Sequence, residues 1–160
     1  MKKLCCFLVF VLFLTGCQSV QTFETMEDVY APQAQSAPRQ VELALPQDVQ
    51  TVAGANGKLY LCDGYAVTVE IFASGDLNST LQQLTGFSPD ALTMLQTMAS
   101  DTRRYACAWS AAGESGDTVG RAVVLDDGQH HYCVTVMGQA DDAGKLAETW
   151  QELLNSVQLK

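Results

Sequence analysis

Residues 103–137 read RRYACAWSAAGESGDTVGRAVVLDDGQHHYCVTVM, and their periodicity decides the fold. In RRYACAWSA (103–111), Tyr105, Cys107 and Trp109 fall at every second position, which puts them on one face of a strand. GESGD (113–117) supplies turn residues, and TVGRAVVL (118–125) returns. Asp126-Asp127-Gly128 turns the chain again, and HHYCVTVM (130–137) completes a three-stranded antiparallel meander.

Downstream, Asp141 and Asp142 are placed to start a final helix. Leu146, Trp150, Leu153, Leu154 and Val157 form one apolar stripe at helical spacing, with Lys145, Glu148, Gln151 and Glu152 on the wet face. Upstream, Ser88-Pro89-Asp90 has the Ser-then-Pro order of a helix start. The following ALTMLQTM (91–98) fits either the continuation of that helix or a strand. A helix is predicted after Asp76 as N-cap, with Leu77, Leu81 and Leu84 on one side and Gly86 past its end. KLYLC (58–62) and YAVTVEIF (65–72) read as a hairpin across Asp63-Gly64. A polar, Gly-containing loop precedes them, and VELAL (41–45), closed by Pro46, reads as a short edge strand.

Strands, a helix, a meander and a closing amphipathic helix predict an α+β domain over residues 41–160. In it a twisted antiparallel sheet is packed by helices. That order, with the ending ETWQELLNSVQL, resembles the fold shared by the PsbP subunit of photosystem II and the nuclear-transport protein Mog1. Simple bacterial envelope lipoproteins also use this fold. The resemblance implies no catalytic residue.

The N-terminus sets the expected location. Met1-Lys2-Lys3 is a short positive segment, and Leu4 to Leu14 is an apolar run too short to span a bilayer, which takes about 20 residues. It ends Leu14-Thr15-Gly16-Cys17, which resembles the lipobox of bacterial lipoproteins. The resemblance implies cleavage after Gly16 and a diacylglycerol thioether on Cys17. Residues 1–16 are then the signal peptide, and acyl chains on Cys17 replace the lost apolar run as the membrane anchor. Residues 17–40 hold the lipidated end and a polar, Pro-containing tether. The expected location is extracytoplasmic, anchored to the cell membrane or outer membrane.

The charge narrows the partners. The chain carries 9 Lys+Arg against 18 Asp+Glu, net −9, and losing Lys2 and Lys3 with the signal makes it more acidic. Such a balance disfavours nucleic acid and anionic membrane faces. Past the signal and Cys17, Cys62, Cys107 and Cys133 remain. Three thiols allow at most one bridge. Cys107 and Cys133 lie on strands that flank a third, so second-neighbour spacing of about 9.5 Å forbids a bridge between them. A bridge through Cys62, or three buried thiols, stay open.

Chemical motifs are weak. Gly113-Glu114-Ser115-Gly116-Asp117 reads as a turn, since a serine nucleophile needs a base held by a carboxylate and the two histidines are adjacent in one strand. For His130-His131-x-Cys133, alternation puts His131 and Cys133 on one face and His130 on the other. Two ligands make no zinc site unless Cys62 or Cys107 joins them. Asn78-Ser79-Thr80 matches a glycosylation sequon but reads as helix surface. Neither a calcium loop nor a Gly-rich phosphate loop is legible. Tyr60, Tyr65, Tyr105, Trp109, Tyr132 and Trp150 are expected in the core or lining a cleft between helix and sheet. No catalytic residue, metal site or cofactor is expected. The expected function is a non-enzymatic accessory or protein-binding domain of the cell envelope, docking an envelope protein. The alternative is a small-molecule or peptide ligand-binding lipoprotein of a transport or sensing system.

Overall fold

The computed structural model describes residues 36–99 and 102–160; Cys17, the signal peptide 1–16 and the tether up to residue 35 lie outside the described residues. The domain is α+β. Seven antiparallel strands form one sheet: β2 (Gln50–Ala53), β3 (Gly57–Leu61), β4 (Tyr65–Ala73), β5 (Thr93–Ala99), β6 (Thr102–Ala111), β7 (Thr118–Asp126) and β8 (His130–Gln139). Their order across the sheet is β2-β3-β4-β8-β7-β6-β5. The predicted meander is β6-β7-β8, and the hairpin β3-β4 joins it through the β4–β8 pair, Tyr65 opposite Gly138 to Ala73 opposite His130. Gly64 takes φ +79, which lets Cys62 and Tyr65 close a two-residue turn.

Helices pack on both faces of the sheet over its central strands, which explains why β7 and β8 are apolar at consecutive positions. On one face, helix α2 (Ala143–Ser156) buries Trp150, Leu153 and Leu154 against Val67, Val123, Tyr132, Val134 and Val136. On the other, helix α1 (Leu77–Thr85) buries Leu81 against Tyr105, Cys107, Val124 and Cys133. Asp76 caps α1 by accepting the N–H groups of Asn78 and Ser79, and Gly86 ends it in the left-handed region.

The segment before β2 and the C-terminal residues hold each other. β1 (Val41–Glu42) pairs with β9 (Gln158–Leu159), and Gln40 and Lys160 exchange both backbone hydrogen bonds at 2.9 and 3.0 Å. The paired part of VELAL is therefore two residues long, while Leu43 and Leu45 pack onto the α2-side core. Residues 36–40, the last of the expected tether, also bond to the body: Ser36 to Gln129, and the Arg39 N–H to the Tyr132 hydroxyl.

One open alternative is decided and one local expectation needs correction. Ser88-Pro89 starts only a single 3-10 turn, Pro89–Ala91, and from Thr93 the chain continues as strand β5. Pairing with β6 over the whole of β5 satisfies that backbone, and alternation sends Met94 into the α1-side core while Leu95 points to the opposite face. The presumed loop before Gly57 contains β2, an exposed edge strand whose four residues carry no buried side chain to betray it.

Candidate interaction surfaces

The polar residues singled out in HHYC separate as alternation requires. His131 faces α1, where its Nδ1 lies 2.8 Å from the Thr80 hydroxyl and its Nε2 lies 4.0 Å from Asp126 Oδ1. The ring is 1% exposed, and burial pushes its pKa below the ordinary histidine value, against the pull of Asp126, Asp127 and Asp76. His130 faces the other way, its ring 5.8 Å from that of Tyr132. Burial opposes the Asp127 carboxylate, but the N–H groups of Gln129 and His130 and the Tyr132 hydroxyl hold its pKa below the usual range. This network fastens the β7–β8 turn and, through Tyr132, the Arg39 backbone.

Cys62, Cys107 and Cys133 are all free thiols. Cys107 opposes Ala122 and Cys133 opposes Val124, so the two flank β7 on the α1 face as second neighbours. Cys62 packs on the α2 side and joins neither. Burial raises the pKa of each, most for Cys133, which keeps them protonated and poor nucleophiles. Among the described residues, no three His, Cys, Asp or Glu side chains gather where a metal ion would need them.

The sheet is longer than the helices that cover it, and each face has an open part. On the α1 face, a row runs straight across five strands: Leu61 opposite Ala66, Ala66 opposite Met137, Met137 opposite Gly120, and Gly120 opposite Trp109. Val52 stands beside the row on β2. Val52, Leu61 and Met137 are 48%, 42% and 40% exposed, because α1 covers the other part of this face. The Trp109 ring lies over Gly120 so closely that a Cβ there would fall 2.3 Å from it. Glycine at this position lets the indole lie flat and widens the apolar surface.

On the α2 face, the helix covers β4, β8 and β7 and leaves β5 and β6 open. Between them runs a groove of about 380 Å³. Leu95, Ala106, Ala108 and Leu154 give it apolar surface, Thr93 and Thr97 lie along one side, and Gln151 and Asn155 of α2 along the other. Arg104 donates to the Leu154 carbonyl at 2.5 Å, and the Arg121 guanidinium stacks 5.2 Å from the Trp150 ring. Among the described residues, neither arginine is paired with a carboxylate.

Core packing, the default expectation for the aromatics, is what three of them show, and the alternative of an aromatic-lined cleft is not this groove. Tyr105, Tyr132 and Trp150 are buried in the core, and the groove is lined by aliphatic, hydroxyl, amide and guanidinium side chains, with no aromatic among the described residues that line it. Sequence reasoning missed Leu95, Arg104 and Arg121. A signal was present for the arginines: Arg104 shares strand parity with Ala106 and Ala108, and Arg121 with Val119, Val123 and Leu125, so each charge falls among apolar neighbours on its strand face.

No family model and no curated protein sequence matches the chain. Solved structures do. LpqN of Mycobacterium tuberculosis, described as involved in cell envelope biogenesis, superposes with a TM-score of 0.52 at 8% identity, over 80% of this chain and 87% of its own. A protein of Bacteroides thetaiotaomicron superposes with a TM-score of 0.51 at 11% identity, over 75% of this chain and 45% of its own. At such identities the likeness is one of fold.

Proposed function

We propose that this chain is a lipid-anchored, non-enzymatic domain of the bacterial cell envelope, with the acyl chains on Cys17. It docks another envelope protein on the open apolar part of its α1 face. The observation that carries this reading is the row Leu61, Ala66, Met137, Gly120 and Trp109 with Val52 beside it. α1 covers the other part of this face and leaves Val52, Leu61 and Met137 exposed beside the half-buried Ala66 and Trp109, and apolar surface exposed together in this way marks protein contacts. The fold likeness to LpqN, and the resemblance of residues 41–160 to PsbP and Mog1, suit an accessory role. Among the described residues no helix is long and apolar enough to cross a membrane.

The test places a photoreactive residue at Leu61 or Met137 in the producing bacterium, with Asn78 on α1 as control. Irradiation should crosslink one envelope protein from the row and not from Asn78, and Met137→Asp should abolish the product made from Leu61. Equal products from row and control would refute the docking reading. The alternative, a ligand-binding lipoprotein, draws its support from the groove on the opposite face.

A further inference from the structure

We infer that the groove between α2 and β5 is a second binding site, and that it takes an extended acidic peptide segment with two carboxylates four residues apart. The inference stands independently of the docking surface on the α1 face. Charge is its first support. In a chain of net −9, two arginines face one groove, and neither has a carboxylate partner among the described residues. Arg104 is partly buried, and loss of water already disfavours its charge, as its lowered pKa records. A bound carboxylate would restore what burial removed.

Spacing is the second support. Arg104 opposes Leu125 on β7, and Arg121 lies four residues earlier on that strand. Four residues of strand rise put the two backbone positions roughly 14 Å apart along the sheet. An extended segment repeats at the same rise, so its residues i and i+4 span the same length and point the same way. Residue i+2, on the same side, then meets the apolar stretch made by Leu95 and Ala106, which oppose each other across β5 and β6. The small side chains of Ala106 and Ala108 leave room for a backbone to approach. Thr93 and Thr97 on one side, and Gln151 and Asn155 on the other, offer hydrogen bonds to its peptide groups. An anionic lipid would bring one charge cluster and a long tail, and the groove offers two separated cations and a short apolar floor.

The probe is a blocked synthetic heptapeptide with glutamates at positions 2 and 6, leucine at position 4 and serine elsewhere, labelled for anisotropy. It is titrated into the full chain in neutral detergent. Saturable binding that weakens as salt rises is expected, as is loss of binding by the analogue with glutamines at positions 2 and 6. Arg121→Gln should weaken binding about tenfold, the scale of one charge-assisted hydrogen bond. Leu95→Glu should do likewise. Leu95 is 65% exposed, so this variant keeps its fold and answers the question even if the arginine variant does not. Equal binding of both peptides, or no binding of either, would overturn the inference. So would Arg121-dependent binding to phosphatidylglycerol vesicles without peptide binding. The crosslinks from Leu61 would be unaffected by any of these results.

Discussion

At the scale of single residues, His131 is where pH enters the stability of the fold. Burial holds its imidazole neutral to a lower pH than in the unfolded chain, where the ordinary value is about 6.5. As pH falls past that value the unfolded state takes up the proton first. Stability that is complete above pH 6.5 is then lost progressively toward the lowered folded value. Denaturant unfolding at pH 7.5 and pH 5.5 should show a smaller unfolding free energy at the lower pH, and His131→Gln should remove most of that difference. An undiminished difference in the variant would place the titration elsewhere. The window is separate from that of Asp127, whose depressed pKa makes its contribution disappear only at more acidic pH, below the ordinary carboxylate value near 4. Thr80 belongs to the same argument. Its hydroxyl is the hydrogen-bond partner that fits the histidine to α1, so the side chain that sets the pH window also helps hold the helix down.

At the scale of elements, α2 carries the larger load. Trp150 is 2% exposed and reaches both the core and the underside of Arg121. Trp150→Ala should cost about 3–5 kcal/mol, read as a fall in the denaturation midpoint. A loss of under 1 kcal/mol would mean that the helix is docked mainly by Leu153 and Leu154. Elements were also the scale at which the sequence was most legible. The meander, the Asp63-Gly64 hairpin, the cap at Asp76 and the stripe ending at Val157 each rest on local chemistry that acts within a few residues. β5 was ambiguous because Leu92, Met94 and Met98 suit either period, and what settles it is pairing with β6, a partner no local pattern announces. β2 was missed because an edge strand with all four residues exposed has no buried face to alternate. The groove was illegible for a related reason. It exists because α2 lies over β7 and β8 and leaves β5 and β6 uncovered, and a helix stripe does not say which strands it will cover.

At the scale of the whole molecule, the domain and its anchor are expected to be separable. Cys17 lies ahead of a polar stretch, and the core is assembled from residues 41–159 with Arg39 and Ser36 bonded to its edge. Under the proposed reading, Cys17→Ala should move the protein from the membrane fraction to the soluble fraction while its thermal unfolding temperature stays the same. Retention of the variant in membranes would show that something other than lipid on Cys17 holds it there. The same comparison would show whether the acyl chains affect the fold.

The exchange of two backbone hydrogen bonds between Gln40 and Lys160 has a topological meaning as well. The polypeptide path over residues 40–160 is nearly a closed ring. Contact between ends is what makes a protein tolerant of circular permutation, with a short linker across the old ends and a new opening in an exposed turn. The turn from Gly113 to Gly116 is such a place: it is solvent-exposed and lies outside both β6 and β7. Opening the ring there would leave every strand of the sheet whole, while the residues around Gln40 and Lys160 would become an internal loop. Under the proposed lipid anchoring, such a permuted fold would hang from the membrane at a different point on its perimeter, with both open surfaces turned to face another direction.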